Sequence, residues 1–239
     1  MSDMTVLWSA SSGTIASIPL TTKFVETFDE ALLGERGLTL DTTMHDASVN
    51  QAFTDAASDV TGRVFKVGGG TLTVEKNSAH GETGVAYGTL APASASVTQF
   101  GRSLVVTNGA TVSLTGAPTS LTVERLALGH ERTRGVLTLD QGDVVTITGK
   151  DGLKVGRGFV RCDAAAATPG TQTFFRLADG ATVDPAELAN LHVLNGSAEY
   201  QYAFEIDGNE IKLKVEAWQT TPTTWTGAKS GDWTDDGNW

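Results

Sequence analysis

"LVVTNGATVSLTG", residues Leu104–Gly116, alternates apolar and polar at period two, turns at Asn108-Gly109, and alternates again. Thirty-three residues later "LTLDQGDVVTITG" (Leu137–Gly149) repeats the template: Leu, the central Gly, the second-strand Val and the closing Thr-Gly coincide. A partial third copy is "FRLADGATV" (Phe175–Val183), where Gly180-Ala-Thr-Val matches Gly109-Ala-Thr-Val. Companion segments recur as well. "LKVG" at Leu153 starts sixteen residues after Leu137, "LHVLNG" at Leu191 sixteen after Phe175, and "LALG" at Leu126 twenty-two after Leu104. Self-similarity of this kind marks a repeat architecture. Variable loops between constant strands are what a stacked coil tolerates, because insertions bulge outward while strands keep register.

Two architectures compete for these units. "TNGA" and "DQGD" are permissible hairpin turns, which would give a sandwich or an antiparallel barrel. Strands of three to five residues and uneven repeats favour an all-β, right-handed parallel β-helix instead. Each strand then pairs with its equivalent one coil away, about 4.8 Å along the axis. Inward Leu, Val and Ile stack in columns, outward Thr, Asp and Lys face water, and Gly and Asn take the corners.

"VFKVGGGTLTV" (Val64–Val74) tests that reading, because its three glycines could also cradle a phosphate. A dinucleotide loop needs a helix after the glycines, and here the strand-like Thr71-Leu-Thr-Val74 follows. The Gly-Lys of Gly149-Lys150 continues with Asp151, which is not a phosphate loop either. Gly68 to Gly70 therefore form a corner, with Leu72 and Val74 pointing inward. A β-branched residue at Gly69 or Gly70 is expected to impair folding.

The flanks differ from the repeats. Thr21–Gly37 places Phe24, Phe28 and Leu32 at helical spacing and reads as a short amphipathic helix ending at Gly34. The alternative is an irregular strand-and-loop cap over the first coil. "DPAELANL" (Asp184–Leu191) reads as one helical turn with an Asp cap and Pro185 first. "YAFEIDGNEIKLKVEAW" alternates around Asp207-Gly208-Asn209 as an antiparallel hairpin that shields the last coil. The resulting division is a cap over 1–60, a β-helix over 61–217, and over 218–239 a Thr/Pro linker with a Trp-rich beginning of another module. The stop at Trp239, where that motif begins, reads as a piece of a longer protein.

Composition narrows the function. In 239 residues the formal net charge is −11 with no basic stripe, which argues against nucleic acid and against a polybasic membrane contact. Cys162 is the single cysteine, so neither an internal disulfide nor a thiolate metal cluster can form. The sequence contains no apolar run long enough to span a bilayer, and the N-terminus lacks a signal-peptide pattern.

Catalytic signals are sparse. His45, His80, His130 and His192 lack metal-ligand spacing; three read as solvated loop residues and His192 as an outward strand position. No Gly-x-Ser-x-Gly elbow occurs. Asp140, Asp143 and Asp151 fall near corners of adjoining coils, where they are either turn formers or the acids of a glycan-cleaving β-helix. In "GDWTDDGNW", Asp232, Asp235, Asp236 and Asn238 offer oxygen ligands without EF-hand spacing. Trp225, Trp233 and Trp239 either begin a small core or stack on sugar rings as a glycan site. No catalytic, cofactor-binding or metal-binding residue is assigned.

"KVGGGTLTV" from Lys66 resembles the Lys-x-Gly-x-Gly-Thr-Leu-Thr-Leu signature of autotransporter-associated β-strand repeats. "LALGHERTRGVLTLDQGDVVTITGKDGLKVG" is similar to the same family's Leu-x-Val-Gly, Gly-x-Leu-x-Leu pattern, and "WTGAKSGDWTDDGNW" to the Trp-rich element between its repeat blocks. The resemblance covers about residues 62 to 239 and implies a β-helical passenger segment, extracellular or on the bacterial surface, acting as stalk, adhesin or scaffold. It implies no catalytic residues and no cofactor. Partners expected from it are glycans, a host surface or neighbouring copies. A glycan-active β-helix enzyme and a Trp-centred glycan-binding module are the alternatives.

Overall fold

The structure is a computed structural model that describes residues 5–8, 25–26, 30–43, 45–116, 120–218 and 229. Short strands wind into a parallel β-solenoid with three walls. The first wall stacks Leu38–Asp41, Arg63–Val67, Glu82–Val85, Ser103–Val106, Arg125–Leu128 and Leu153–Val155, all parallel. The second stacks eight strands from Val25–Glu26 to Leu191–Val193. The third opens with Thr5–Trp8, Glu30–Leu33 and Thr54–Asp55 and closes with Ser120–Val123, Val144–Ile147 and Gly170–Leu177. Between these groups it narrows to a single bridge, Ser78 to Phe100.

Alternation explains the core. In the second wall Leu72, Leu90, Val112, Leu137 and Val160 face inward and are buried. Their outward neighbours form a column of Thr71, Thr89, Thr111, Val136, Phe159 and His192. Register is held because a one-residue slip would turn every aliphatic to solvent. Coils vary in length, from 18 residues between paired Leu72 and Leu90 to 33 between Gly158 and Leu191, and the surplus lies in corners.

The repeat seen in the sequence proves to be a corner unit, not a coil. Leu104 pairs with Leu126, one coil on, whereas Leu137 pairs with Val112 in a different wall. Gly109 therefore turns the chain from first wall to second, Gly142 from second to third, and Gly180 follows the third-wall strand Gly170–Leu177. Spacings of 33 and 38 residues are one coil plus one corner. All three glycines have positive φ, +79°, +99° and +79°, so the corners share one backbone solution whichever walls they join.

Among the described residues of 21–37 no N-terminal helix occurs. Val25–Glu26 and Glu30–Leu33 are strands, while the rest of 21–29 lies outside the described residues. Ala31 and Leu33 are buried and Leu32 is not, a period-two pattern that parallel pairing with Thr5–Trp8 and Thr54–Asp55 enforces. Ladder bonds outweigh the weak helical spacing of three apolar residues. The strands Leu38–Asp41 and Ala47–Asn50 join the same ladders, so the walls start before residue 61.

The other end is capped as expected, and by more than the hairpin. Tyr200–Asp207 and Glu210–Ala217 pair antiparallel, and the second of these lies against Gly170–Leu177. Asp184 caps a 3-10 turn, Pro185–Asn190, by accepting from the Ala186 amide at 3.0 Å. From that turn Glu187 Oε2 accepts the Val155 amide at 2.6 Å, satisfying an edge of the first wall, and Lys154 pairs with the same carboxylate at 3.3 Å. A four-residue helix, Asp163–Ala166, has no counterpart in the sequence reading.

Candidate functional site

Lys66 breaks the rule that lysines face water. Val64 and Lys66 share the inward face of Arg63–Val67, and Lys66 stands in a column with Leu40, Val85, Val106, Leu128 and Val155. It is 0% exposed. Its ammonium donates to the carbonyls of Gly68 at 2.6 Å, Gly70 at 2.7 Å and, from the next coil, Tyr87 at 2.7 Å. Thr42 adds a hydroxyl bond to the Gly70 carbonyl at 3.1 Å. Burial pushes the Lys66 pKa down to about 8, against the pull of the Asp41 and Asp46 charges, so the group remains a cation at neutral pH. The triple glycine is thus a corner, as read, whose carbonyls turn inward onto an internal cation. That is the reverse of a phosphate cradle, which aims N–H groups at an anion.

The three glycines are not equivalent. Gly68 has φ +81°, and a Cβ there would lie 2.2 Å from the Thr43 nitrogen. At Gly70 a Cβ would meet the His45 and Thr42 carbonyl oxygens at 2.6 and 2.7 Å, whereas at Gly69 it meets nothing within 4 Å. Gly70→Val is therefore expected to destabilise by about 1–3 kcal/mol through overpacking, and Gly69→Val by no more than about 0.5 kcal/mol, as for an open surface position. Urea midpoints of the two variants check this. The expectation that Gly69 is as sensitive as Gly70 is corrected by its open surroundings.

One coil on, a second polar group enters the lumen. His80 is 2% exposed, not solvated, while His45 and His130 are exposed. Its Nε2 lies 2.8 Å from the Thr83 hydroxyl, which donates to the Phe100 carbonyl. That hydroxyl has one proton, so Nε2 carries the imidazole hydrogen and Nδ1 is a bare acceptor, buried without a partner. Burial first of all pushes the pKa down to about 4, opposed by the Asp55 carboxylate. Lys66, His80, Ser78 and Thr83 line the same small cavity of about 20 Å³, between Leu90 and Phe100. The imidazole edge packs against Phe53, with centroids 6.3 Å apart.

The remaining flagged residues do not converge. Asp140 and Asp143 belong to one corner, where Asp143 is buried and accepts the Asp140 amide at 2.6 Å. Asp151, with φ +47°, occupies the next corner, where its amide donates to the Thr182 hydroxyl at 2.9 Å. They act as turn formers. His192 is exposed and outward, as expected, and tilts against Phe159. The Cys162 thiol is buried, its pKa pushed up to about 11 by desolvation and then by Asp163, which leaves it a poor nucleophile. No cluster of three His, Cys, Asp or Glu suited to a metal occurs among the described residues. No helix in them is long and apolar enough to cross a membrane. Trp225, Trp233 and Trp239, with Asp232, Asp235, Asp236 and Asn238, lie outside the described residues. Comparison of the chain with protein-family models, with curated proteins and with solved structures finds no match.

Proposed function

We propose that the chain is a non-catalytic, structural or adhesive segment of a bacterial cell-surface or secreted β-helix protein, one that contacts glycans through its outer walls. The observation that carries this reading is the disposition of its polar groups. Of the acids that could have formed a cleavage site, Asp143 is buried and bonded within its own corner and Asp151 is tied to Thr182 of the following coil, while the lumen polar groups Lys66 and His80 are sealed from substrate. The second wall instead presents hydroxyls in file, Thr71, Thr89 and Thr111, at ladder spacing. The resemblance of the Lys66–Val74 and Leu126–Gly156 segments to autotransporter-associated repeats supports the same assignment.

Incubation with a panel of neutral and acidic polysaccharides tests it. No new reducing ends and no unsaturated uronates are expected over hours at micromolar protein. Steady release of either product, abolished by Asp140→Asn or Asp151→Asn in a folded variant, would establish the carbohydrate-active alternative instead.

A further inference from the structure

Against a net charge of −11, four arginines gather on one side of the solenoid. The corner His130–Arg134 stacks on the corner Gly156-Arg157. The Gly135 amide donates to the Arg157 carbonyl at 3.1 Å, and a Cβ at Gly156 would touch the His130 backbone at 2.7 Å. Arg132, Arg134, Arg157 and, at the end of the adjoining strand Gly158–Arg161, Arg161 are all exposed. None of them forms an ion pair among the described residues, whereas Arg63, Arg102 and Arg176 each do. Of the acids close in sequence, Asp163 is held by the Asn195 amide at 2.9 Å, and Glu131 stands in the same loop.

Aromatic surface lies among these cations. Phe159 faces outward on the second wall, with the Arg134 guanidinium 5.9 Å over its ring and His192 at 5.7 Å on the next strand. The hydroxyl column of that wall thus ends in a ring platform flanked by guanidiniums. Unpaired, exposed guanidiniums recognise planar anions through their forked donors. A ring face beside them suits the C–H face of a sugar.

The geometry points to a binding face for an acidic polysaccharide, centred on Phe159, with Arg132, Arg134, Arg157 and Arg161 taking its carboxylate or sulfate groups. It rests on the reading of the outer walls as glycan-contacting, and names the class of glycan. A nucleic acid fits less well. Duplex DNA carries one charge per about 1.7 Å, and beyond four arginines it would meet an acidic chain. An acidic polysaccharide spaces its anions by whole sugar rings.

The test is binding of the purified chain to polygalacturonate, to a sulfated galactan, to a neutral galactan and to a single-stranded oligonucleotide, by titration calorimetry at low and high salt. Binding of at least one acidic polymer is expected, weakened as salt rises, with the neutral galactan at least tenfold weaker. Preference between the first two probes identifies carboxylate or sulfate as the group recognised. Arg134→Gln with Arg157→Gln should weaken binding tenfold or more, and Arg134→Lys to an intermediate degree. Arg63→Gln, on the first wall, should leave it unchanged. Unchanged thermal melts certify that each variant folds. Failure of both acidic polymers to bind, equal binding of the neutral galactan, tighter binding of the oligonucleotide, or indifference to the double substitution overturns the inference. Product release from the same polymers would instead overturn the non-catalytic reading while leaving the binding face intact.

Discussion

Lys66→Met lowers the stability of the solenoid by roughly 2–5 kcal/mol, read as a fall in the urea midpoint at unchanged slope. Methionine matches the lysine stem in length and shape, so the aliphatic column from Leu40 to Val85 stays filled and the loss is of donors. Replacing a buried charge with a hydrophobe can stabilise a protein, because the desolvation cost disappears. Here the carbonyls decide the sign. The Gly68 oxygen retains only a 3.5 Å contact to the Thr42 hydroxyl, and the Tyr87 oxygen has no further partner among the described contacts. Neither can turn to water without undoing its corner, since Gly68 and Gly88 are fixed at φ +81° and +67°. Each orphaned carbonyl costs about 1–3 kcal/mol.

A pH arm separates this cause from a packing defect. With the native ammonium pKa lowered to about 8, the unfolded chain holds its proton to higher pH than the folded one. Wild-type stability therefore gains as pH climbs from about 8 toward the ordinary lysine value. Lys66→Met lacks that gain. A variant as stable as wild type at pH 7 would show that the carbonyl cage contributes nothing.

How much of this was legible depends on whether the signal is local. Corners were, because a glycine with positive φ between two alternating runs is written in consecutive residues, as at Asn108-Gly109. The identity of the wall was not. "LVVTNGATV" and "LTLDQGDVV" look alike because every corner poses the same backbone problem, so sequence similarity reports a corner without its phase around the axis. The burial of Lys66 was implicit in period two, since Val64 and Lys66 share a face; only the habit of placing lysine in water hid it. Its acceptor Tyr87, 21 residues away in the next coil, has no sequence mark. The strand Glu30–Leu33 was obscured by three apolar residues at helical spacing, because a four-residue strand is too short to display its own period. Arg132, Arg134, Arg157 and Arg161 read as scattered charge until coil spacing sets the two corners against each other.

Between pH 7.5 and 4.5 the stability difference between wild type and His80→Gln shifts in favour of the variant by up to about 3 kcal/mol, changing sign on the way, so that below pH 5 the variant is the more stable of the two. The sign follows from the lowered pKa. Above pH 6.5 the imidazole is neutral in both folded and unfolded chains, and titration contributes nothing. As pH falls from 6.5 toward 4, the unfolded chain takes up a proton that the buried ring refuses, so the folded state loses ground; below about 4 the loss is complete. At neutral pH His80 is favourable because Nε2 donates to Thr83, so glutamine, which can reach the same hydroxyl, costs only about 1 kcal/mol. In acid that advantage is smaller than the proton penalty. Asp55, Glu82 and Arg102 stand around the ring in both proteins, which is why the measured quantity is the difference between two pH profiles and not either profile alone. Asp55 has a structural duty as well, accepting the Gly62 and Gly81 amides at 2.8 and 2.9 Å and pairing with Arg102 at 2.8 Å. Those contacts are common to wild type and variant. Parallel profiles for the two would mean that the ring is charged, or wetted, in the native lumen, and the sealed neutral imidazole would have to be abandoned.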